Sequence, residues 1–283
     1  MTAEPRLVHG VDALRDAIKQ FRAAGARVGL VPTMGALHAG HMSLVEAARR
    51  HADRIVVTVF VNPAQFGPSE DFAKYPRTLP EDLAKLAEVG ADLCFAPPVE
   101  AVYPQGFATR VEVEGPARAD LEDRFRPTHF SGVATVVAKL LNQARADIAV
   151  FGEKDYQQLL VIRRLARDLD IETQIFGAPT LREADGLAMS SRNVYLSAKE
   201  RAAAPALYAA LSAAARRIGA GDPIEAALEE ARTGVTAAGF VVDYIEARHA
   251  QTLAKVAPRR EGPIRLLAAA KLGATRLIDN VGV

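Results

Sequence analysis

The stretch that decides the fold runs from residue 26 to residue 62, "ARVGLVPTMGALHAGHMSLVEAARRHADRIVVTVFVN". Its two ends are short, continuous apolar runs rich in Val and Ile, and neither alternates with polar residues. That pattern suits strands covered on both faces, as in a parallel sheet. Between them "HMSLVEAARRHA" spaces its apolar residues by three and four, the period of a helix with one buried side. Strand, helix and strand in succession predict a βαβ unit.

The same texture continues outward. "ADLCFAP" and "ADIAVFG" read as further strands, and "LPEDLAKLAEVG", with Gly90 at its C-cap, "GVATVVAKLLNQA" and "DYQQLLVIRRLARDL" read as helices that carry the alternation on to "ETQIFG". Such a series predicts an α/β fold, a Rossmann-like doubly wound parallel sheet. From about residue 181 the texture changes. "SAKERAAAPALYAALSAAARRIG" opens with Ser197 three before Glu200, a capping-box spacing, and Pro205 should kink it or delay its start. "DPIEAALEEARTGV" places Asp222 as cap and Pro223 at the first helical position, and "VVDYIEARHA" and "PIRLLAAAKLGATRLIDN" read as strands. We therefore expect a first domain over 1–180 and a smaller α+β C-terminal domain over 181–283.

Composition narrows the partners. Among 283 residues, 35 Lys and Arg face 34 acids for a formal charge of +1, and the basic residues are scattered, so no strip suggests nucleic acid and a small molecule is the expected partner. Cys94 is the only cysteine, so no disulfide can form within one chain, and its apolar surroundings predict a buried, inert thiol. The first residues carry no apolar signal core, and no run is long enough to span a bilayer, so a soluble cytoplasmic protein is expected.

In an open parallel sheet ligands bind beyond the carboxyl ends of the strands, so the residues just after each strand are the informative ones. After "VGLV" come Pro32, Thr33, Met34, Gly35, His38 and His41; after "VVTVFV" come Asn62 and Gln65; after "ADIAVF" come Gly152, Glu153, Lys154 and Asp155. These clusters should face one crevice. Three readings of the two histidines stand open: metal ligands, which would need further donors; turn and cap residues; or polyphosphate binding beside the free N–H groups of a helix N-terminus. Neither a Walker A loop nor G-x-G-x-x-G is present, which disfavours kinase and dehydrogenase chemistry. Lys154 is either a solvated lysine or an anion ligand. "LAMSSRNVYLS", with Ser190, Ser191 and Arg192, is either an ordinary polar loop or a phosphate clamp.

At this point the residues resemble a known family. "PTMGALHAGH" carries the H-x-G-H signature shared by nucleotidyltransferases and class I aminoacyl-tRNA synthetases, and the strings "FVNPAQFG", "YPRT", "RPTHFSGV", "FGEKDYQQLLVIR" and "READGLAMSSRNVYLS" resemble the pantothenate synthetases, or pantoate–β-alanine ligases. "MSSR" stands where related synthetases carry a K-M-S-K-S loop. The resemblance implies ATP-dependent condensation of pantoate with β-alanine through a pantoyl adenylate, releasing AMP and pyrophosphate, in a homodimer that uses Mg2+. By matching position it implies that His38, His41, Lys154 and Arg192 act on the phosphates together with Ser190 and Ser191. Pro32, Thr33, Met34, Gly152, Leu181 and Met189 would line the ATP site, and Asp155 would lie near phosphates that themselves hold the magnesium, with no direct protein ligand. Gln65 and Gln158 would bind pantoate, bordered by Met34, Asn62 and Tyr75, and the segments 62–77 and 187–193 would shield the adenylate. For the helix carrying Glu81, Asp82 and Lys85, a metal-related role stays open. Two rivals are a nucleotidyltransferase acting on a phosphorylated acceptor and a non-catalytic ATP sensor; pyrophosphate release and an amide product separate them.

Overall fold

The computed structural model describes residues 4–67, 72–256 and 262–283. The chain begins with β1 (Arg6–Val8), α1 (Val11–Ala23), β2 (Val28–Thr33), α2 (Ala39–Arg49), β3 (Arg54–Val59), α3 (Leu79–Glu88) and β4 (Leu93–Phe95). Two short helices, α4 (Val99–Val102) and α5 (Glu122–Phe125), precede α6 (His129–Ala144), β5 (Ile148–Gly152), α7 (Tyr156–Asp168) and β6 (Gln174–Ala178). These six strands form one parallel sheet in the order β1-β4-β3-β2-β5-β6.

Continuous apolar strands are explained by the two faces. Leu30, Val56, Leu93 and Ala149 point into a core with α1, α6 and α7, while their neighbours Val31, Val57, Cys94 and Val150 point into a second core with α2 and α3. Both faces are apolar and buried, so the period-2 alternation is hidden. Cys94 lies fully buried in the second core, where desolvation, and then the Asp82 charge, push its thiol up to about 12, so it is inert as expected. From β2 the chain moves outward through β3 and β4, then returns to place β5 on the other side of β2. The switch point thus lies between β2 and β5, and their carboxyl ends open the crevice.

The remaining chain forms α8 (Ala198–Ala203), α9 (Ala206–Ala220) and α10 (Ile224–Ala237), then β7 (Val241–His249), β8 (Ile264–Leu272) and β9 (Thr275–Gly282) in an antiparallel sheet. The capping box forms, with Ser197 and Glu200 exchanging bonds, and the helix breaks before Pro205 as its ring requires. The Asp222 expectation fails. Pro223 itself occupies the N-cap of α10, and the Asp222 carboxylate instead accepts from Arg217 Nε at 2.6 Å, an ion pair with the end of the preceding helix. On β8, Leu266, Ala268, Ala270 and Leu272 pack on α9 and α10, while Leu267 and Ala269 join Leu121, Leu160, Tyr244 and Leu253 in a seam with the parallel-sheet unit. The second sheet is thereby held against the first unit by its outer face.

One close approach positions the crevice. A Cβ on Gly132 would fall far inside contact distance of the Ala64 carbonyl, so only glycine lets α6 press against the 3-10 turn Pro63–Gln65. Overpacking of that kind costs about 1–3 kcal/mol. Urea unfolding should therefore show a lower midpoint for Gly132→Ala at unchanged slope. Gly219→Ala, in the last turn of α9 where a Cβ would meet nothing within 4 Å, should raise it.

Candidate active site

The loop after β2 is held in an uncommon conformation. Gly35 and Ala36 have φ of 83° and 50°, the left-handed region that only glycine adopts freely. The compensation comes from α3: the buried Asp82 carboxylate accepts from Ala36 N at 3.0 Å and Leu37 N at 2.7 Å, and Lys85 Nζ donates to Leu37 O at 2.6 Å. The acid and the lysine of this helix thus brace the loop, a role that their sequence context does not reveal.

That brace delivers the two histidines to the start of α2. His38 is the N-cap, its Nδ1 accepting from Gly40 N at 3.1 Å, and His41 Nδ1 accepts from His38 N at 3.3 Å, a reciprocal capping box built from imidazoles. The turn-and-cap reading therefore holds for the Nδ1 atoms. Because both Nδ1 atoms accept, the neutral rings carry their protons on Nε2, the edge left for a ligand. Desolvation, followed by the Lys154 and Lys85 charges, lowers His38 to about 4; desolvation, then His38 and Lys154, lowers His41 to about 3. At neutral pH the pair is uncharged and donates two N–H groups beside the helix dipole. Gly40 is part of this device, since a Cβ there would meet His38 Cε1 at 2.8 Å and Nδ1 at 2.9 Å.

Facing them, the 3-10 turn Glu153–Asp155 follows β5. Lys154 Nζ lies 3.7 Å from Asp155, whose side chain stays about half exposed in the crevice. Desolvation pushes the Asp155 carboxyl up, but Lys154, Arg192, His129 and Arg126 together hold it below the usual range, so it is ionised. From the second sheet, Asn280 Nδ2 donates at 2.9 Å to both Glu153 O and Lys154 O, and Arg265 pairs with Glu153 at 3.3 Å.

One open cavity, enclosing about 1380 Å³ of empty space with its mouth, is lined by every residue that the sequence assigns to the ATP and pantoate sites. Pro32, Thr33, Met34, His38 and His41 come from the β2 end, Gly152, Lys154, Asp155 and Gln158 from the β5 end, and Leu181, Met189, Ser190, Ser191 and Arg192 from the loop after β6. Gln65 Nε2 reaches Met34 Sδ at 3.0 Å, while buried Asn62 has its amide engaged by protein groups. Tyr75 and Ser191 share a hydrogen bond of 3.3 Å and Arg192 lies 5.9 Å over the Tyr75 ring, so the two expected shielding segments touch across the mouth. Residues 68–71 of that expectation lie outside the described residues. Arg126 and His129 also line the cavity and were missed, because Arg126 lies just before a helix and His129 opens it, rather than following a strand; their signal was the quoted "RPTHFSGV".

Among the described residues no group of three or more His, Cys, Asp or Glu is placed to hold a metal ion, and no helix is long and apolar enough to cross a membrane. The switch-point crevice, with its helix N-terminus, neutral imidazole donors and lysine, defines a Rossmann-like nucleotide-binding protein. The family described as pantoate-beta-alanine ligase matches residues 6–282, and the chain belongs to that family. It is 57% identical over its full length, and the relative's, to the pantothenate synthetase of Rhodopseudomonas palustris strain BisA53 and to pantothenate synthetase 2 of Bradyrhizobium diazoefficiens. Among solved structures, the pantothenate synthetase of Thermus thermophilus superposes with a TM-score of 0.92 at 49% identity, covering 98% of each chain. The pantoate-beta-alanine ligase of Francisella tularensis, solved with a β,γ ATP compound and β-alanine, superposes at 0.81 with 33% identity, covering 98% of this chain and 97% of that one.

The histidine pair should leave two signatures. Both rings titrate below the ordinary 6.5, so between that pH and about 4 the unfolded chain takes up protons that the folded chain refuses, and stability falls as pH falls. His41→Gln should lose less stability than the parent between pH 6.5 and pH 4.5 in urea titrations. Gly40→Ala should leave the fold intact but turn the His38 ring, seen as a changed imidazole signal in NMR and weakened ATP binding.

Proposed function

We propose that the crevice joins pantoate to β-alanine in two steps. The pantoate carboxylate attacks the α-phosphorus of ATP and pyrophosphate leaves; the amine of β-alanine then attacks the acyl carbon and AMP leaves. The observation that carries this reading is that His38, His41, Lys154 and Arg192, donors suited to a polyphosphate, line one cavity with a pair of amides, Gln65 and Gln158, suited to a small hydroxy acid.

In the first step negative charge builds on the leaving pyrophosphate. His38 and His41 meet it as neutral Nε2–H donors, Lys154 as a point charge and Arg192 as a planar fork. Ser190 Oγ caps its own 3-10 turn by accepting from Arg192 N at 3.2 Å, which fixes the start of the clamp. Pro32, Thr33, Met34, Gly152, Leu181 and Met189 form the nucleotide wall. Magnesium carried by the ATP phosphates would neutralise part of their charge, and the ionised Asp155 carboxylate is the hard oxygen donor that would fit beside it. The touching loops around Tyr75 and Ser191 keep water from the adenylate. In the second step no enzyme nucleophile is needed, because the adenylate is already activated. The reading includes a cytoplasmic homodimer, as the family resemblance implies.

Pyrophosphate release from ATP and magnesium should require pantoate, and sustained turnover to pantothenate, followed by mass spectrometry, should require β-alanine as well. Lys154→Ala and His41→Ala should each reduce turnover by roughly 10²-fold or more in folded protein, the loss seen when one oxyanion donor is removed. Near-parental rates for both would exclude the assigned roles.

A further inference from the structure

Behind the crevice wall runs a chain of hydrogen bonds whose direction is fixed by backbone groups. Asn62 is buried, 1% exposed, and both ends of its amide meet the main chain: Oδ1 accepts from Ala64 N at 3.2 Å and Nδ2 donates to Gly132 O at 3.2 Å. A backbone N–H can only donate and a carbonyl can only accept, so the Asn62 amide has one possible orientation. Its Nδ2 then donates to Gln65 Oε1 at 3.0 Å. That contact takes the carbonyl end of the Gln65 amide and turns its NH2 end toward the cavity, where Nε2 reaches Met34 Sδ at 3.0 Å.

Tyr103 completes the chain from the far side. Its hydroxyl donates to Asn62 Oδ1 at 2.8 Å, although Tyr103 lines a separate cavity and is not part of the crevice wall. Burial pushes this hydroxyl up to about 12, so it keeps its proton. The Tyr103 ring is fixed by Phe107 and Phe60, with centroids at 5.1 Å and 6.3 Å. The hydroxyl is therefore an aimed donor rather than a loose rotor.

We infer that Tyr103 is a positioning residue for the acid substrate: by holding Asn62, whose orientation the backbone sets, it stiffens the relay that presents Gln65 as a donor, so that Gln65 binds a substrate oxygen that accepts a hydrogen bond. This inference rests on the assignment of Gln65 to pantoate. It also replaces a direct substrate role for Asn62, whose amide is already engaged at both ends, with an orienting one. A weak thioether acceptor is a poor partner for the Gln65 NH2, and a substrate carboxylate or hydroxyl oxygen replaces it with a stronger bond.

The test is steady-state kinetics of Tyr103→Phe and Gln65→Glu beside the parent. Losing one neutral hydrogen bond of the relay should raise the KM for pantoate in Tyr103→Phe by roughly 5- to 10-fold. The KM values for ATP and β-alanine and the urea midpoint should stay near those of the parent. Gln65→Glu keeps the size but removes the donor, and it should lose far more pantoate affinity than Tyr103→Phe. An unchanged pantoate KM in Tyr103→Phe overturns the inference, as does a parallel rise in all three KM values with reduced stability, which marks a purely structural role. Gln65→Glu with parental pantoate KM overturns the donor assignment. Absence of pantoate-dependent pyrophosphate release from the parent protein would instead bring down the proposed function, and that control is read before any variant.

Discussion

The buried carboxylate of Asp82 is the constraint on which the site depends. A loop that turns through two successive left-handed residues, one of them alanine, is strained; a non-glycine residue in that region costs of the order of 1 kcal/mol or more. It also leaves two backbone N–H groups at Ala36 and Leu37 with no sheet partner. Asp82 answers both needs by accepting from each, and Lys85, one turn on, takes the carbonyl of Leu37. Charge-assisted bonds to backbone N–H are among the stronger protein hydrogen bonds, about 1.5–3 kcal/mol each, which is enough to hold such a turn. The direction in which α2 enters the crevice, and so the position of both imidazoles, follows from this brace.

The second sheet extends the same logic to the opposite wall. Lys154 belongs to a 3-10 turn, whose backbone carbonyls lack the regular partners of a long helix. Asn280 on β9 binds two of those carbonyls and Arg265 on β8 binds Glu153, so the turn carrying the lysine is fixed by residues more than a hundred positions away in sequence. The loop carrying Ser190 to Arg192 is anchored in parallel. Arg182 grips Asp279 with both guanidinium nitrogens, at 2.6 and 2.8 Å, and stacks on Tyr208, at the base of that loop. The C-terminal unit thus acts as the support of two of the three walls of the crevice.

These relations explain what was legible in the sequence. The sheet could be read because burial on both faces leaves uninterrupted apolar runs, and the crevice could be read because a parallel sheet places its strand ends together; residues after β2, β3 and β5 meet in one cavity for that reason. Strand β1 was not assigned, since a three-residue edge strand carries too little pattern, whereas helix α1 was passed over although Leu14, Ala17 and Ile18 carry a legible helical spacing. The bracing role of Asp82 and the roles of Tyr103 and Asn280 escaped for another cause. Each acts through a partner far along the chain, and nothing in the local spacing distinguishes a carboxylate that holds a distant loop from one in solvent. Asp222 shows the converse error: a residue with the right type and place for a cap is drawn away by a nearby guanidinium.

The protonation of the two histidines bears on why imidazole, rather than a second lysine, occupies the helix start. A permanent cation at an N-terminus opposes the helix dipole and the neighbouring Lys154 charge, and it would bind ground-state ATP as strongly as the charge that develops later. Neutral Nε2–H groups avoid that repulsion while the site is empty, yet still offer donors directed by their Nδ1 anchors. In the proposed reaction, charge accumulating on the leaving pyrophosphate would make the same rings more basic and strengthen their bonds to it. The capping box that holds the Nδ1 atoms is therefore also the device that aims the opposite nitrogens. The observed capping role and the proposed phosphate-ligand role of His38 and His41 thus fall on two edges of the same rings.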